Sequence, residues 1–369
     1  MNMIPYGKQY IDDGDIHQVV EVLKSDWITT GPKIVEFEQS LCKYVRAKYG
    51  VAVNSGTSAL DIAVASLELP QGSEIITTPF TFIATANAII YNKHKPVFVD
   101  IQKDTFNIDP EEIRKNVTDK TRAIIYVDYA GHPCEIFEIK EIAEEHNLYL
   151  IEDACHALGA EYKGKKVGSF ADITVFSFHP VKHITTGEGG MAVTNNGELA
   201  EKMRMLRNHG IDLDLMSRKD YKYDMKLLGR NYRMTDFQAA LGISQLKKLD
   251  YFLEKRRKIA DIYNNELEDI FIIQKVRTYI KHAWHIYPIL VENRDYVFKE
   301  LRKIGIGVNV HYIPVYKHSY YKNNTYLFKK SKCKNVEYVY ERQLTLPIYP
   351  LLSEKEVSSV IENLRRTLK

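Results

Sequence analysis

Between residues 34 and 194, short apolar runs alternate with amphipathic stretches of helix length, and this alternation constrains the fold more than any other feature of the chain. Residues 35–44 read as an amphipathic helix and 51–54 as a short buried strand; a helix then opens at Gly56 and runs to about residue 66. Strands follow at 74–78, 96–100, 122–128 and 148–153, separated by helices at 82–91, from residue 109 onward, and at 136–146. Asp109-Pro110-Glu111-Glu112 opens one of these helices with proline and acids in the first turn, where they suit the unpaired N–H groups and the dipole. Strands 173–178 and 191–194 then come close together. Apolar strands separated by helices of this length imply an α/β fold with a mostly parallel sheet covered on both faces. Ligands of such sheets bind at loops beyond the carboxyl ends of the strands. Polar residues stand at several of those ends: Asn54 to Ser58, Thr78 to Phe82, Asp128 to Gly131, and Asp153.

After residue 235 the texture changes. A long helix is expected to about residue 268, softened near Leu249, followed by strands 285–291 and 308–312 with a helix at 296–304 between them. Ser353-Glu354-Lys355-Glu356 is a capping box for a final helix reaching about Leu368. The chain therefore divides into a large domain over residues 1–250 and a smaller α+β domain over 251–369, a length that accommodates two cores. Residues 322–334 are rich in lysine and asparagine and read as a charged surface loop. A formal net charge of +3 without a long basic block argues against nucleic acid as a partner. No apolar run approaches the length of a membrane span, and the N-terminus has no apolar signal-like segment. Four widely spaced cysteines without a C-x-x-C pair point to reduced thiols, with no zinc site and no disulfide framework, in a soluble cytoplasmic protein.

The chemistry concentrates around Lys182. It lies between an apolar strand and the glycines Gly187, Gly189 and Gly190, and Ser177 precedes it by five positions. A lysine at the mouth of a pocket suits Schiff-base chemistry, because a desolvated ammonium loses its proton readily and the free amine is the nucleophile. Gly56-Thr57-Ser58 at a helix start can cradle an anion on unpaired N–H groups, or can be an ordinary cap made by Ser55 or Thr57. Asp153 ends a strand at a depth where a carboxylate is costly unless paired, so it caps the next helix or meets a ligand's positive charge. Glu152 alternates to the other face and reads as structural. His156 and Phe82 can flank a ring or serve as packing. Together these parts supply an amine, a phosphate cradle, a buried acid and an aromatic plate, the set that pyridoxal 5′-phosphate requires.

Five ordered stretches make the reading more specific: Asn54 to Leu60, Thr78 to Asn87, Glu152 to Ala160, Ser177 to Lys182 with Thr186 to Gly190, and Gly229 to Thr235. They resemble the successive motifs of the DegT/DnrJ/EryC1/StrS aminotransferases, pyridoxal-phosphate enzymes of fold type I that aminate nucleotide-linked keto-sugars. The resemblance runs from Ile28 to Pro350 and implies a seven-stranded, mostly parallel sheet in the large domain. It makes Lys182 the lysine that holds the cofactor, Asp153 the partner of the pyridinium nitrogen, and Phe82 and His156 the residues on the two faces of the ring. Thr57, Ser58 and Ser177 become phosphate ligands. Asn231 matches an asparagine that reaches the phosphate from a neighbouring subunit, implying a homodimer with shared active sites.

The resemblance further implies L-glutamate as amino donor and a nucleotide-linked 4-keto-6-deoxy sugar as acceptor. Val127 to Gly131 and Val310 to Tyr316 are similar to the branch that makes UDP-4-amino-4,6-dideoxy-N-acetyl-β-L-altrosamine. Perosamine-type and bacillosamine-type amination, amination at C3, and a dehydratase on the same scaffold are the alternatives. Thr29, Thr30, His311, Tyr312 and His318 are sugar-side candidates, each of which could equally pack or cap. Two positions depart from the commonest pattern. His183 stands where asparagine often follows the lysine, and His156 where glutamine is frequent. The dehydratase branch places histidine at the lysine position itself, but the spacing from Ser177 assigns that position to Lys182, which favours an aminotransferase.

Overall fold

The structure, a computed structural model, describes residues 3–212 and 221–367. Two helices, α1 (Asp13–Leu23) and α2 (Pro32–Val45), precede an alternating series of strands and helices: β1 (Tyr49–Val53), α3 (Gly56–Ser66), β2 (Glu74–Thr77), α4 (Ile83–Tyr91), β3 (Lys95–Phe98), α5 (Pro110–Asn116), β4 (Thr121–Val127), α6 (Ile136–His146) and β5 (Tyr149–Asp153). Two short strands, β6 (Glu161–Tyr162) and β7 (Lys165–Lys166), lead to β8 (Ile173–Ser177), β9 (Gly190–Thr194) and α7 (Gly197–Arg207). The remainder comprises α8 (Asp236–Leu246), α9 (Leu249–Leu267), β10 (Ile272–Ile273), β11 (Ile280–Lys281), β12 (Tyr287–Leu290), α10 (Arg294–Lys303), α11 (Ser319–Asn323), β13 (Lys329–Lys330), α12 (Lys334–Arg342), β14 (Gln343–Leu346) and α13 (Glu354–Arg366).

The main sheet runs β1-β9-β8-β5-β4-β2-β3-β13. Strand β9 is antiparallel to both of its neighbours, and the other pairings are parallel. The antiparallel step follows from the connection, because no crossover helix separates β8 from β9 and a parallel return would need one. The loop that makes this return carries Lys182. Successive strand residues face opposite layers. Ile75, Ile125 and Ile151 pack with α3, α4 and α7, whereas Ile76, Ile124 and Leu150 pack with α5 and α6. By the same alternation Asp153 faces the α3–α4 side and Glu152 the other. Glu152 is fully buried and accepts a hydrogen bond from Thr174 Oγ1 at 2.8 Å, as a structural residue should.

The C-terminal elements enclose a separate apolar core, built from α9, α10, α13 and the antiparallel sheet β10-β12-β14, with Ile4 packed against it. The long helix expected over 235–268 is two helices, α8 and α9, broken where the sequence softens near Leu249. The strand expected at 308–312 does not form; only Asn309 pairs, as an isolated bridge to Thr345, because the neighbouring residues turn toward the large sheet. The lysine-rich segment 322–334 is not simply a loop. Its Lys329 and Lys330 add an eighth strand parallel to β3, and Lys329 forms an ion pair with the buried Glu74. Helix α13 has the expected Ser353–Glu356 capping box and ends at Arg366; Leu368 lies outside the described residues. Among the described residues no helix is long and apolar enough to cross a membrane.

Candidate active site

The carboxyl ends of β4, β5 and β8, the N-terminus of α3, and residues 309–312 enclose a cavity of about 580 Å³. Lys182 reaches it from the β8–β9 loop. Its backbone N–H donates to His179 O at 2.9 Å, and its side chain is half-buried. Burial pushes the ammonium below its ordinary pKa, while Cys155 and Asp153 act in the opposite direction without reversing the shift. Lys182 Nζ lies 3.4 Å from His285 Nε2.

Asp153 is 4% exposed and ends β5 on the face toward α4. Its Oδ2 accepts a hydrogen bond from Thr85 Oγ1 at 2.7 Å, and its Oδ1 accepts from Cys155 N at 3.3 Å. Thr85 sits in the first turn of α4, and its hydroxyl is 3.0 Å from that of Thr81. The carboxylate is therefore fixed by two donors.

The start of α3 lies directly against β8. Ser55 caps it, accepting from Ser58 N at 3.0 Å, so ordinary capping and an open N-terminus coexist. A Cβ added to Gly56 would lie 2.8 Å from Ser177 Cβ, and one on Gly190 would lie 2.4 Å from Ser55 O. Only glycine allows this approach, which brings the Thr57 side chain and Ser177 to the same cavity wall. The Ser58 hydroxyl does not line that wall. It donates to Asn54 Oδ1 at 2.6 Å beneath the helix start.

His156 is buried, with Nε2 2.9 Å from the Tyr312 hydroxyl. Burial, reinforced by Lys182, keeps its imidazole neutral well below the ordinary range. Phe82 stands at the N-cap of α4, 54% exposed at the cavity mouth, with its ring 5.9 Å from that of Tyr312. His311 has Nδ1 2.9 Å from Thr345 Oγ1; burial first, and Lys182 second, push its pKa down to about 3.

Eight of the residues singled out from sequence thus share one cavity: Lys182, Asp153, Thr57, Ser177, Phe82, His156, His311 and Tyr312. Four others lie elsewhere in the chain. Thr29 is exposed and bridged to Thr235, and Thr30 lines a separate cleft with Arg204, Arg207 and Arg233. His318 precedes the first turn of α11. Asn231 is exposed and bridged to Asn208. The sequence reading missed Thr85, Cys155, His285, Tyr6 and Asn309, which also line the cavity. Thr85 had a signal, since it lies four residues after Thr81 at a helix start beyond a strand. His285 had none, because only the fold brings it across 103 positions to Lys182.

This donor set fits pyridoxal 5′-phosphate. The cavity holds an amine with a lowered pKa, a buried carboxylate fixed by two donors, an aromatic and an imidazole, and a helix N-terminus that glycine lets pack directly against Ser177. Residues 9–365 match the family described as DegT/DnrJ/EryC1/StrS aminotransferases. The chain belongs to that family. It is a pyridoxal-phosphate-dependent aminotransferase. It is 43% identical to a UDP-4-amino-4,6-dideoxy-N-acetyl-beta-L-altrosamine transaminase of Campylobacter jejuni, with 98% of this chain and 96% of that protein covered. Among solved structures it superposes on Helicobacter pylori PseC, an aminotransferase involved in the biosynthesis of pseudoaminic acid, with a TM-score of 0.93 at 36% identity and 99% of each chain covered. The pyridoxal-phosphate form of a putative sugar aminotransferase from Streptococcus pneumoniae gives a TM-score of 0.93 at 32% identity, covering 99% of this chain and 98% of that one.

Proposed function

We propose that the enzyme transfers the amino group of L-glutamate to a nucleotide-linked 4-keto-6-deoxy sugar, with a UDP-linked N-acetylhexosamine as the favoured acceptor. The observation that carries this reading is the meeting of Lys182 and the Thr85-bound Asp153 in one cavity, in a chain 43% identical to an altrosamine transaminase. Bound there, the cofactor supplies a carbonyl for amines and an electron sink for the electrons left when the donor's α-proton departs. Thr57, Ser177 and the first N–H groups of α3 hold its phosphate. Phe82 and His156 flank its ring, and Asp153 keeps the pyridine nitrogen protonated. Lys182 Nζ would take up the donor's α-proton as base and release it again as acid. His311 and Tyr312, which line the same cavity, serve the acceptor in this reading.

Other parts of the reading concern the whole assembly. Residues 1–250 act as the cofactor-binding domain and 251–369 as a smaller domain, a division supported by the separate C-terminal core. Asn231, exposed and outside its own chain's cavity, serves a second subunit in a homodimer that works in the cytoplasm. Thr29, Thr30 and His318 contribute to acceptor binding only if that assembly, or closure of the site, brings them to it.

The test is a product assay. Purified enzyme with pyridoxal phosphate and L-glutamate is offered UDP-4-keto-6-deoxy-N-acetylhexosamines and the GDP- and dTDP-linked keto-hexoses. Formation of a UDP-linked 4-amino sugar with stoichiometric 2-oxoglutarate is expected. Faster amination of a GDP- or dTDP-linked acceptor, or of C3, would overturn the acceptor assignment while leaving the transaminase intact.

A further inference from the structure

Lys182 shares its surroundings with a second buried base. His285 is 4% exposed, its Nε2 is 3.4 Å from Lys182 Nζ, and its Nδ1 has no hydrogen-bond partner. Among the described residues, the amine is thus the one polar partner of this imidazole. The ring is also held by packing, with centroids 4.3 Å from that of His156 and 5.7 Å from that of His183.

The backbone around it is fastened from several sides. His285 N donates to Ala130 O at 2.8 Å and Ala283 N donates to Gly131 O at 3.0 Å. The buried Arg256 donates through Nη1 to the carbonyls of Trp284 (3.2 Å) and His285 (3.1 Å). His183 Nε2 lies 3.2 Å from Ala283 O. The residue after Lys182 therefore ties the lysine loop to the segment that carries His285, which gives the unusual histidine at position 183 a structural role. These bonds fix the backbone from which the imidazole projects, and the packing against His156 and His183 holds the ring.

Four titratable groups face His285: Lys182, His156, His183 and Arg256. Burial first, and then these neighbours, keep the ring neutral. A neutral imidazole carries one N–H. On Nδ1 that hydrogen would be a buried donor without an acceptor, and orphaned buried N–H groups are rarer than under-used acceptors. The proton therefore belongs on Nε2, aimed at Lys182 Nζ. An N–H can donate there only to an unprotonated amine. The geometry points to His285 as a positioning residue that receives the Lys182 amine when it is free of the cofactor and holds it unprotonated and oriented. This deepens the proposed function and rests on Lys182 being the reacting amine.

The experiment reads the lysine directly. The full-length chain, freed of cofactor, is treated with acetic anhydride over a pH series, and the Lys182 peptide is quantified by mass spectrometry against exposed lysines of the same sample. In His285→Leu the pH at half-reaction should rise by about one unit, the shift that one ordinary hydrogen bond supports. His285→Gln, whose side-chain amide can donate, should return the midpoint toward wild type. His285→Met reads the same effect if the leucine variant does not fold. In the loaded enzyme, His285→Leu should lower kcat of the glutamate half-reaction about tenfold or more with KM for glutamate unchanged. A midpoint that stays in place or falls in both apolar variants overturns the inference, as does a glutamine variant no better than leucine. The midpoint is read without cofactor. A wild-type enzyme that ignored every amino donor would therefore overturn the functional reading and leave the midpoint to judge His285.

Discussion

At the residue scale, the site depends on a few fixed atoms. Thr85 Oγ1 donates to the buried Asp153 Oδ2 at 2.7 Å, a bond to a charged group worth about 1.5–3 kcal/mol. Thr85→Val should therefore slow the amino-donor half-reaction roughly tenfold to a hundredfold by stopped-flow absorbance, with Thr85→Ser close to wild type. Gly56 is constrained in another way, since an added Cβ would lie 2.8 Å from Ser177 Cβ and push the start of α3 away from β8. Gly56→Ala should weaken cofactor binding about tenfold in a titration and also lower the melting temperature, because the displaced helix start loses its close packing on β8. Lys182, Asp153 and Ser177 were legible in the sequence because strand ends and glycine turns mark where a pocket opens. Ser58 shows the limit of that logic. Its hydroxyl is next to the cradle in sequence but is taken by Asn54. His285 and Asn309 were not legible, because their relation to Lys182 exists only after the small core docks on the large sheet.

At the scale of elements, the decisive piece is the loop between β8 and β9, held against the segment that leads into β12. Arg256 on α9 is the fastener, donating from Nη1 to the carbonyls of Trp284, His285 and Ile348 at 3.2, 3.1 and 2.9 Å. Burial alone lowers its pKa, to about 10, so it remains charged at neutral pH. Arg256→Met would leave three buried carbonyls without that donor, at roughly 1–3 kcal/mol for each one left unsatisfied. An overall loss of about 3 kcal/mol or more is expected in urea unfolding, together with reduced glutamate turnover. The alternation of strands and helices in the first two hundred residues was readable from apolar periodicity alone. Helices α1, α7, α11 and α12 were missed, as were the short strands β6, β7, β10 and β11, strand β14 and the edge strand β13. The lysines of β13 lack an apolar pattern, and pairing with β3 decides their conformation.

For the whole molecule, the histidines set the response to acid. Seven of the twelve are shifted below their ordinary pKa, with burial first among the causes: His94, His132, His156, His183, His282, His285 and His311. An unfolded histidine takes a proton near pH 6.5, whereas His132 in the folded chain holds off to about 4 and His311 to about 3. The stability each contributes is complete above pH 6.5. It declines as pH falls through the folded pKa, by up to about 1.4 kcal/mol per pH unit for each proton that only the unfolded chain binds. The buried Asp128 and Glu152, raised chiefly by desolvation, the latter to about 7, act in the opposite direction. Asp109 and Glu138 are raised by burial as well, so four carboxyls stand against seven histidines, which remain in control. The cofactor-free protein should lose denaturant stability steadily from pH 6.5 to 4, and a flat profile over that window would contradict the buried, neutral state of these rings.

The proposed function turns on Lys182 carrying the proton transfers of both half-reactions in a single cavity. The most direct measurement is the visible spectrum of the loaded enzyme before and after L-glutamate, in wild type and in Lys182→Ala. The wild-type band should bleach with glutamate and return when the keto-sugar is added, while the variant binds cofactor yet shows no such cycle. A variant that completed the cycle at the wild-type rate would contradict the account.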